Sequence, residues 1–423
     1  MTATDSIHRT IAAVWRIESG KLIASLARMV RDVGIAEELA QDALVAAMEQ
    51  WPQAGVPDNP AAWLMTAAKH RAIDKLRRDE LLQRKHTELA HELETALDDS
   101  AEAVAAALDD PIGDDLLRLV FTACHPVLSS EARIALTLRM LGGLTTDEIA
   151  RAFLVPEATV AQRIVRAKRT LADADVAFEV PRGAQLAVRL ESVLEAIYLI
   201  FNEGYTATAG DDWMRPQMCE EALRLGRIVA GLMPQQAEVH GLVALMELQA
   251  SRMHARVAPD GAPILLLEQN RARWDQLLIQ RGLASLQRAQ KLGGARGSYA
   301  LQAAIAACHA RARSADATDW PAIAALYATL AQVSPSPVVE LNRAVAVGMA
   351  DGPAAGLELA DALLDEPVLK SYHLLATVRG DLLEKLGRRD EARAEYERAA
   401  GMTRNARERQ LLLQRAERVQ AAQ

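Results

Sequence analysis

LTTDEIARAFLVPEATVAQRIVRAKRTL, residues 144–171, is the stretch on which the reading of this chain turns. Thr146 can cap a short helix that runs through Ile149 and Ala150 to Phe153, and LVPE then makes a turn. Thr159 opens a second helix, with Val160, Ile164, Ala167 and Leu171 facing inward. Its other face is chemically different. Thr159, Gln162, Arg163 and Arg166 fall at i, i+3, i+4 and i+7 and project together, with Lys168 and Arg169 beside them. Two helices joined in this way form a helix-turn-helix whose second member can enter a DNA groove. Arg and Gln offer paired hydrogen bonds to purine edges, while Lys supplies charge to phosphates without sequence information. The competing reading is a basic face that is merely solvated.

Outward from this motif the chain reads as helix after helix. Ala, Leu, Arg and Glu dominate, and apolar residues recur at three and four, as in Ala36, Leu39, Ala40, Ala43, Leu44 and Ala47. The fold class expected is all-α. At 423 residues the chain exceeds one hydrophobic core, so several domains are expected. Charge marks their boundaries. Residues 63–87 carry Lys69, Arg71, Lys75, Arg77, Arg78, Arg84 and Lys85 against three acids, whereas residues 88–115 hold ten acids and no Lys or Arg. Residues 151–170 turn basic again. The reading is a first domain over 1–87 that ends in the basic patch of residues 63–87, an acidic linker over 88–113, a helix-turn-helix domain over 114–180, and a neutral helical domain over 181–423 with 28 acids and 28 bases. A formal net charge of −8 confines any nucleic-acid footprint to the local basic blocks.

The breaks beyond residue 181 recur near the 34-residue period of tetratricopeptide helix pairs. Gly380, Ala392, Tyr396 and Ala399 fit the small, small, aromatic, small spacing, and Ala344, Gly356, Ala360 and Leu363 repeat it upstream. Ala222, Gly226, Val229 and Pro234 make a third half-repeat. A tetratricopeptide-like solenoid competes with an irregular helical bundle.

Catalytic constellations are missing from the sequence: it has no GxxxxGK[ST], HExxH or GxSxG, so no enzyme and no cofactor are expected. Cys124, Cys219 and Cys308 lie far apart without CxxC spacing, which argues against a disulfide framework or metal site and for the cytosol. Cys124 beside His125 reads as a core residue rather than a nucleophile. Asp211 and Asp212 read as a cap for the following helix rather than a metal site. The loop FNEGYTATAG, residues 201–210, reads as a turn, with a ligand site as the alternative. The longest uncharged run, residues 320–339, contains three prolines and is a poor membrane span.

AEELAQDALVAAMEQW (36–51) and DNPAAWLMTAAKHRAIDKLRR (58–78) resemble domain 2 of the extracytoplasmic-function (ECF) sigma factors of bacterial RNA polymerase, and residues 144–171 resemble domain 4 of the same family. The remainder resembles the extension of a subgroup ending in a tetratricopeptide-like domain, through YLIFNEGYTA, EQNRARWD and SPVVELNRAVAV. The resemblance implies that Glu37, Glu38, Gln41 and Asp42 dock on core polymerase, that the loop from Trp51 to Pro60 captures a flipped base of the −10 element, and that Trp63, Lys69, His70, Arg71, Arg77 and Arg78 meet the opening strand. His70 stands where Asn is usual in the family, leaving the −10 base preference open. It further implies that Thr159, Gln162, Arg163, Arg166, Lys168 and Arg169 read the −35 element. The 26-residue linker reaches at most about 86 Å, enough for elements ~35–70 Å apart.

The expected function is therefore promoter recognition for RNA polymerase. RNA polymerase core and promoter DNA are its expected partners, and a concave C-terminal surface suited to a protein or peptide would modulate it. A one-component operator-binding regulator and a tetratricopeptide adaptor are the rival readings.

Overall fold

The computed structural model describes residues 3–88, 112–259 and 261–421, and the acidic linker read from the sequence lies largely outside them. The chain forms two compact units, Met1–Ile197 and Tyr198–Gln423. Among the described residues both are helical, with two-residue strands as the sole sheet.

The first unit runs α1 (Ala3–Val30), α2 (Val33–Ala54), α3 (Pro60–Glu88), α4 (Ile112–Ala123), α5 (Ser130–Met140), α6 (Thr146–Phe153), α7 (Glu157–Asp173) and the first part of α8 (Ala184–Tyr205). Short polar side chains start several of these helices by accepting otherwise orphaned backbone N–H groups. Asp32 accepts from Ile35 N at 2.8 Å, Asn59 from Ala62 N at 3.0 Å and Ser129 from Ala132 N at 3.3 Å. The apolar stripe of α2 is largely alanine, with Ala36, Ala40, Ala43 and Ala47 fully buried, so α1 packs closely on it, and Leu22, Ile23 and Leu26 of α1 are buried as well. Each such leucine or isoleucine contributes about 1.5–3 kcal/mol by leaving water. Helix α1 also packs on α4 and α5, which joins the two blocks that the charge pattern separates. Gly143, at φ +65, makes that approach possible: a Cβ there would lie 2.7 Å from Ser19 Oγ and 3.3 Å from Arg16 Cα. Trp51, expected in a loop, instead belongs to the last turn of α2 and is buried, because its ring fills the space beside Trp63 at 5.5 Å between centroids.

The second unit continues α8 into β1 (Ala209–Gly210), α9 (Pro216–Leu232), α10 (Ala237–Ala250), α11 (Gln276–Lys291), α12 (Ser298–Arg311), α13 (Trp320–Val333), α14 (Pro337–Ala350), α15 (Pro353–Asp361), α16 (His373–Lys385), α17 (Arg389–Met402), β2 (Arg404–Asn405) and α18 (Ala406–Ala421). Neighbouring helices pack in sequence, and the small residues of the repeat register sit at their contacts. A Cβ on Gly380 would meet the Tyr396 ring at 2.8 Å, and one on Gly356 would lie 2.7 Å from both Ala344 O and Gly348 Cα. The succession returns to its start: β1 pairs in parallel with β2, Ala209 opposite Arg404 and Gly210 opposite Asn405. Buried Asn405 secures the closure by donating to Ala207 O at 3.1 Å and Asp212 O at 2.9 Å, while its own carbonyl oxygen caps α18. Asp212 takes part in this clasp through its backbone oxygen, and neither Asp211 nor Asp212 caps α9, whose cap position is Arg215.

Candidate nucleic-acid interface

The turn between α6 and α7 is fixed by local chemistry. Thr145, not Thr146, caps α6: its hydroxyl accepts from Glu148 N at 3.1 Å, and the Glu148 carboxylate accepts from Thr145 N at 2.8 Å. Leu154 ends the helix in left-handed backbone at φ 51, and α7 starts at Glu157 behind Pro156 rather than at Thr159. Val160, Ile164, Ala167 and Leu171 are buried, as their spacing requires, and they turn the opposite face of α7 outward. Gln162, Arg166 and Arg169 are exposed there, and Thr159 is half-buried. Arg163 is half-buried beside Glu131 of α5; backbone and Ser129 hydrogen bonds, then Arg163, hold that carboxylate below its usual range. Arg169 reaches Asp173 at 3.4 Å, an exposed pair of little energetic weight.

Lys168 does not join that group. It projects from the other side of α7 and pairs with Glu37 of α2. Glu37 in turn is 3% exposed and accepts from Arg139 Nε at 2.7 Å, with Gln41 on the same carboxylate. One buried acid thus ties α2 to α5 and α7. Arg28 with Asp115 at 3.1 Å and Arg16 with Glu148 at 2.9 Å add two further pairs across the same junction. Of the other α2 residues singled out for polymerase contact, Glu38 and Asp42 are exposed and Gln41 is half-buried. Arg139 was not legible as a functional residue, since nothing in the spacing links it to a glutamate 102 positions earlier.

On α3, His70, Arg77 and Arg78 are exposed, whereas Trp63, Lys69 and Arg71 are half-buried. Trp63 meets Trp51 edge to face at 74°, and Arg71 is turned back onto Ala67 O at 3.2 Å. The helix therefore offers an exposed basic end and a tryptophan seated in a partly covered notch, the two kinds of group that a single strand requires.

The thiols are not poised for chemistry. Burial pushes Cys124 up to about 11 and Cys219 up to about 12, against small opposing effects of Thr137 and Arg256 respectively. Among the described residues no cluster of three or more His, Cys, Asp or Glu side chains could hold a metal ion, and no helix is long and apolar enough to cross a membrane.

Comparison with known proteins matches residues 17–81 to sigma-70 region 2 and residues 118–171 to sigma-70 region 4. Residues 189–290 match a family of unknown function, DUF6596. An uncharacterised protein of Rhizobium meliloti is 43% identical over 91% of this chain and 90% of its own length. The ECF RNA polymerase sigma factor SigK of Mycobacterium ulcerans is 31% identical over 34% of this chain and 75% of its own length. A probable ECF sigma factor, SigI of Mycobacterium tuberculosis, is 24% identical over 45% of this chain and 64% of its own. With both sigma regions matched in order, and three-quarters of an ECF sigma factor covered, the chain belongs to the ECF subfamily of sigma-70 RNA polymerase sigma factors and carries a long helical C-terminal extension.

Proposed function

We propose that the chain directs RNA polymerase core to a defined class of promoters in the cytoplasm, with α7 reading the −35 element and α3 engaging the opening −10 strand. The observation that carries this reading is the outward face of α7. Gln162, Arg166 and Arg169 are exposed together on a helix whose opposite face is buried and whose entry is set by a capping box. Gln162 and Arg166 supply base-edge hydrogen bonds, Thr159 and Arg163 flank them, and Arg169 meets phosphate. On α3, Trp63 stacks, while Lys69, His70, Arg71, Arg77 and Arg78 accompany the strand. Glu38, Gln41 and Asp42 contact polymerase, which performs the phosphodiester chemistry; this chain needs no cofactor.

The ion pairs centred on Glu37 support a closed resting form of the first unit. Glu37 and Lys168 each become available to polymerase or DNA when the pair parts. The C-terminal unit modulates that step through a protein or peptide partner. Purified core polymerase tests the reading: the chain should co-purify with it and yield transcripts from discrete start sites. DNA binding without polymerase-dependent initiation would favour a one-component regulator instead.

Truncation tests the C-terminal role, and the cut must fall beyond α8. Arg133 of α5 binds Ser192 and Glu195, the latter at 2.9 Å, and the Ser192 hydroxyl donates to Cys124 O at 2.6 Å, so a cut at Val180 would strip the first unit of its own packing. Initiation by a chain ending after Thr206 at the full-length rate, under all conditions, would refute modulation.

A further inference from the structure

Residues 181–423 balance 28 acids against 28 bases, yet the charge is unevenly spread. Residues 269–296 carry Arg271, Arg273, Arg281, Arg288, Lys291 and Arg296 against the single acid Asp275. Helix α11 lies in this stretch and contains neither Asp nor Glu. Ile279, Gly282, Leu286 and Ala289 turn one face of it into the core. Gln280, Arg281, Ala284, Gln287, Arg288 and Lys291 are all exposed, and at about 100° per residue they fall within one stripe about 120° wide on the other side.

Exposed basic residues on a helix are commonly matched by acids one turn away. Those of α17 are: Arg388 pairs with Glu391 at 2.6 Å, Arg393 with Glu397 at 2.8 Å and Arg398 with Glu395 at 2.6 Å. On α11 no acid stands three or four residues from Arg281, Arg288 or Lys291, and among the described residues none of the three is ion-paired. Arg288 donates to Pro234 O at 3.3 Å, a neutral acceptor. The two acids of α10, on which α11 packs, are engaged elsewhere. Glu247 pairs with Arg227 at 2.9 Å, and Glu238 accepts from the N–H groups of Tyr299 and Ala300 at 3.0 and 3.3 Å. Arg281 adds to the positive field around Glu247 without pairing with it.

The chemistry of the stripe selects its partner. Arg, Lys and Gln offer N–H donors with positive charge, which suits phosphate oxygens. Helix α11 has no aromatic side chain on which an unpaired base could stack, as a single strand requires. Its exposed apolar residues are Leu277 and Ala284, too few for the apolar centre of a protein interface. A duplex needs neither. It carries a negative charge about every 1.7 Å of axis, and Arg281 to Lys291 spans about 15 Å of helix, so the three cations face several phosphates.

We propose that the outer face of α11 grips the phosphate backbone of duplex DNA, a sequence-independent hold separate from the promoter reading assigned to α7. Arg296, exposed in the loop that follows, extends the grip. Phosphate contacts carry no sequence information, so this hold does not depend on which promoter the chain reads.

Fluorescence anisotropy of a labelled duplex of arbitrary sequence, titrated with the full chain over a salt series, tests this. The duplex holds no promoter, so a failure of promoter reading leaves the outcome unaffected. Arg281→Gln, Arg288→Gln and Lys291→Gln combined should make the fall of log K with log salt less steep by about 2–3, since each phosphate contact adds about 0.9. The native chain should then lose about 40-fold more affinity than this variant between about 50 and 200 mM salt. Arg281→Lys with Arg288→Lys keeps the charge and should keep the native slope. Arg388→Gln, Arg393→Gln and Arg398→Gln combined remove the same charge at α17 and should change the slope by less than about 1. An unchanged slope in the α11 variant, an equal change in the α17 variant, or no duplex binding by the native chain overturns the proposal. So does a polyglutamate peptide that displaces the duplex at equal concentration, since the face would then take acidic protein.

Discussion

Replacing Glu37 with Gln removes the charge that holds α2 against α5 and α7. The Glu37 side chain is 4% exposed, whereas the side chains of its partners Arg139 and Lys168 retain 19% and 21% exposure. Breaking a fully buried pair costs about 3–5 kcal/mol, but these cations can recover part of their hydration, and a charge-assisted hydrogen bond alone contributes about 1.5–3 kcal/mol. The expected loss is about 2–4 kcal/mol of junction stability, because Gln leaves two cations facing each other across a neutral amide. Native-state hydrogen exchange reads this locally, which matters in a chain of two units whose unfolding need not be two-state. Amides of α7 and of the middle of α2 should exchange faster in Glu37→Gln, while those of α14–α17 stay unchanged. A double-mutant cycle with Arg139→Met should give a coupling of at least about 1 kcal/mol. Coupling below about 0.5 kcal/mol would refute the reasoning, since that is the value of an ordinary surface pair.

Further outcomes follow from other sites. His309 is held down to about 4 by burial, with Arg252 and Arg271 adding to it, against 6.5 for the free side chain. The imidazole is therefore neutral in the fold, and its contribution, about 3 kcal/mol, is present in full above about pH 6.5 and is lost as pH falls toward 4. His309→Phe should flatten the stability of the C-terminal unit over that window in denaturant titrations; an unchanged slope would contradict this. Gly356→Ala should cost about 1–3 kcal/mol, because the new methyl meets backbone at 2.7 Å on two sides, and a melting temperature equal to the native one would show that α14 and α15 are not so close. Leu154→Gly should be neutral or stabilising by about 1 kcal/mol, since Leu154 is 53% exposed and pays for left-handed backbone at φ 51; a clear loss of stability would mean its side chain matters more than its backbone.

The helices were legible because their signal is local. Val160, Ile164, Ala167 and Leu171 announce the buried face of α7 by spacing alone, and all four are buried. The cap of α6 slipped by one residue because two threonines stand together; Thr145 prevails since only from there does Glu148 fall at the third helical position and return a hydrogen bond. Charge alone groups Lys168 with Arg166 and Arg169, yet six residues beyond Gln162 a helix presents its other side, where Lys168 pairs with the buried Glu37. The family resemblance places Trp51 at the start of a loop, but Pro52 near the helix end breaks little, so α2 runs on to Ala54 and the Trp51 indole packs against Trp63. What no local pattern carries is the meeting of distant segments. Glu37 with Arg139, Asn405 with Ala207 and the stacking of Arg252 between Tyr205 and Trp274 each depend on how whole helices pack.

The outward face of α7 is tested most directly by run-off transcription with purified core polymerase on a genomic promoter library, comparing the native chain with Arg166→Ala. The native chain should initiate at discrete sites that share two spaced elements. Arg166→Ala should bind core equally well, yet lose about 1–3 kcal/mol of discrimination at one position of the upstream element. Initiation with unaltered preference at that element, or failure of the native chain to associate with core, would contradict promoter reading through this helix.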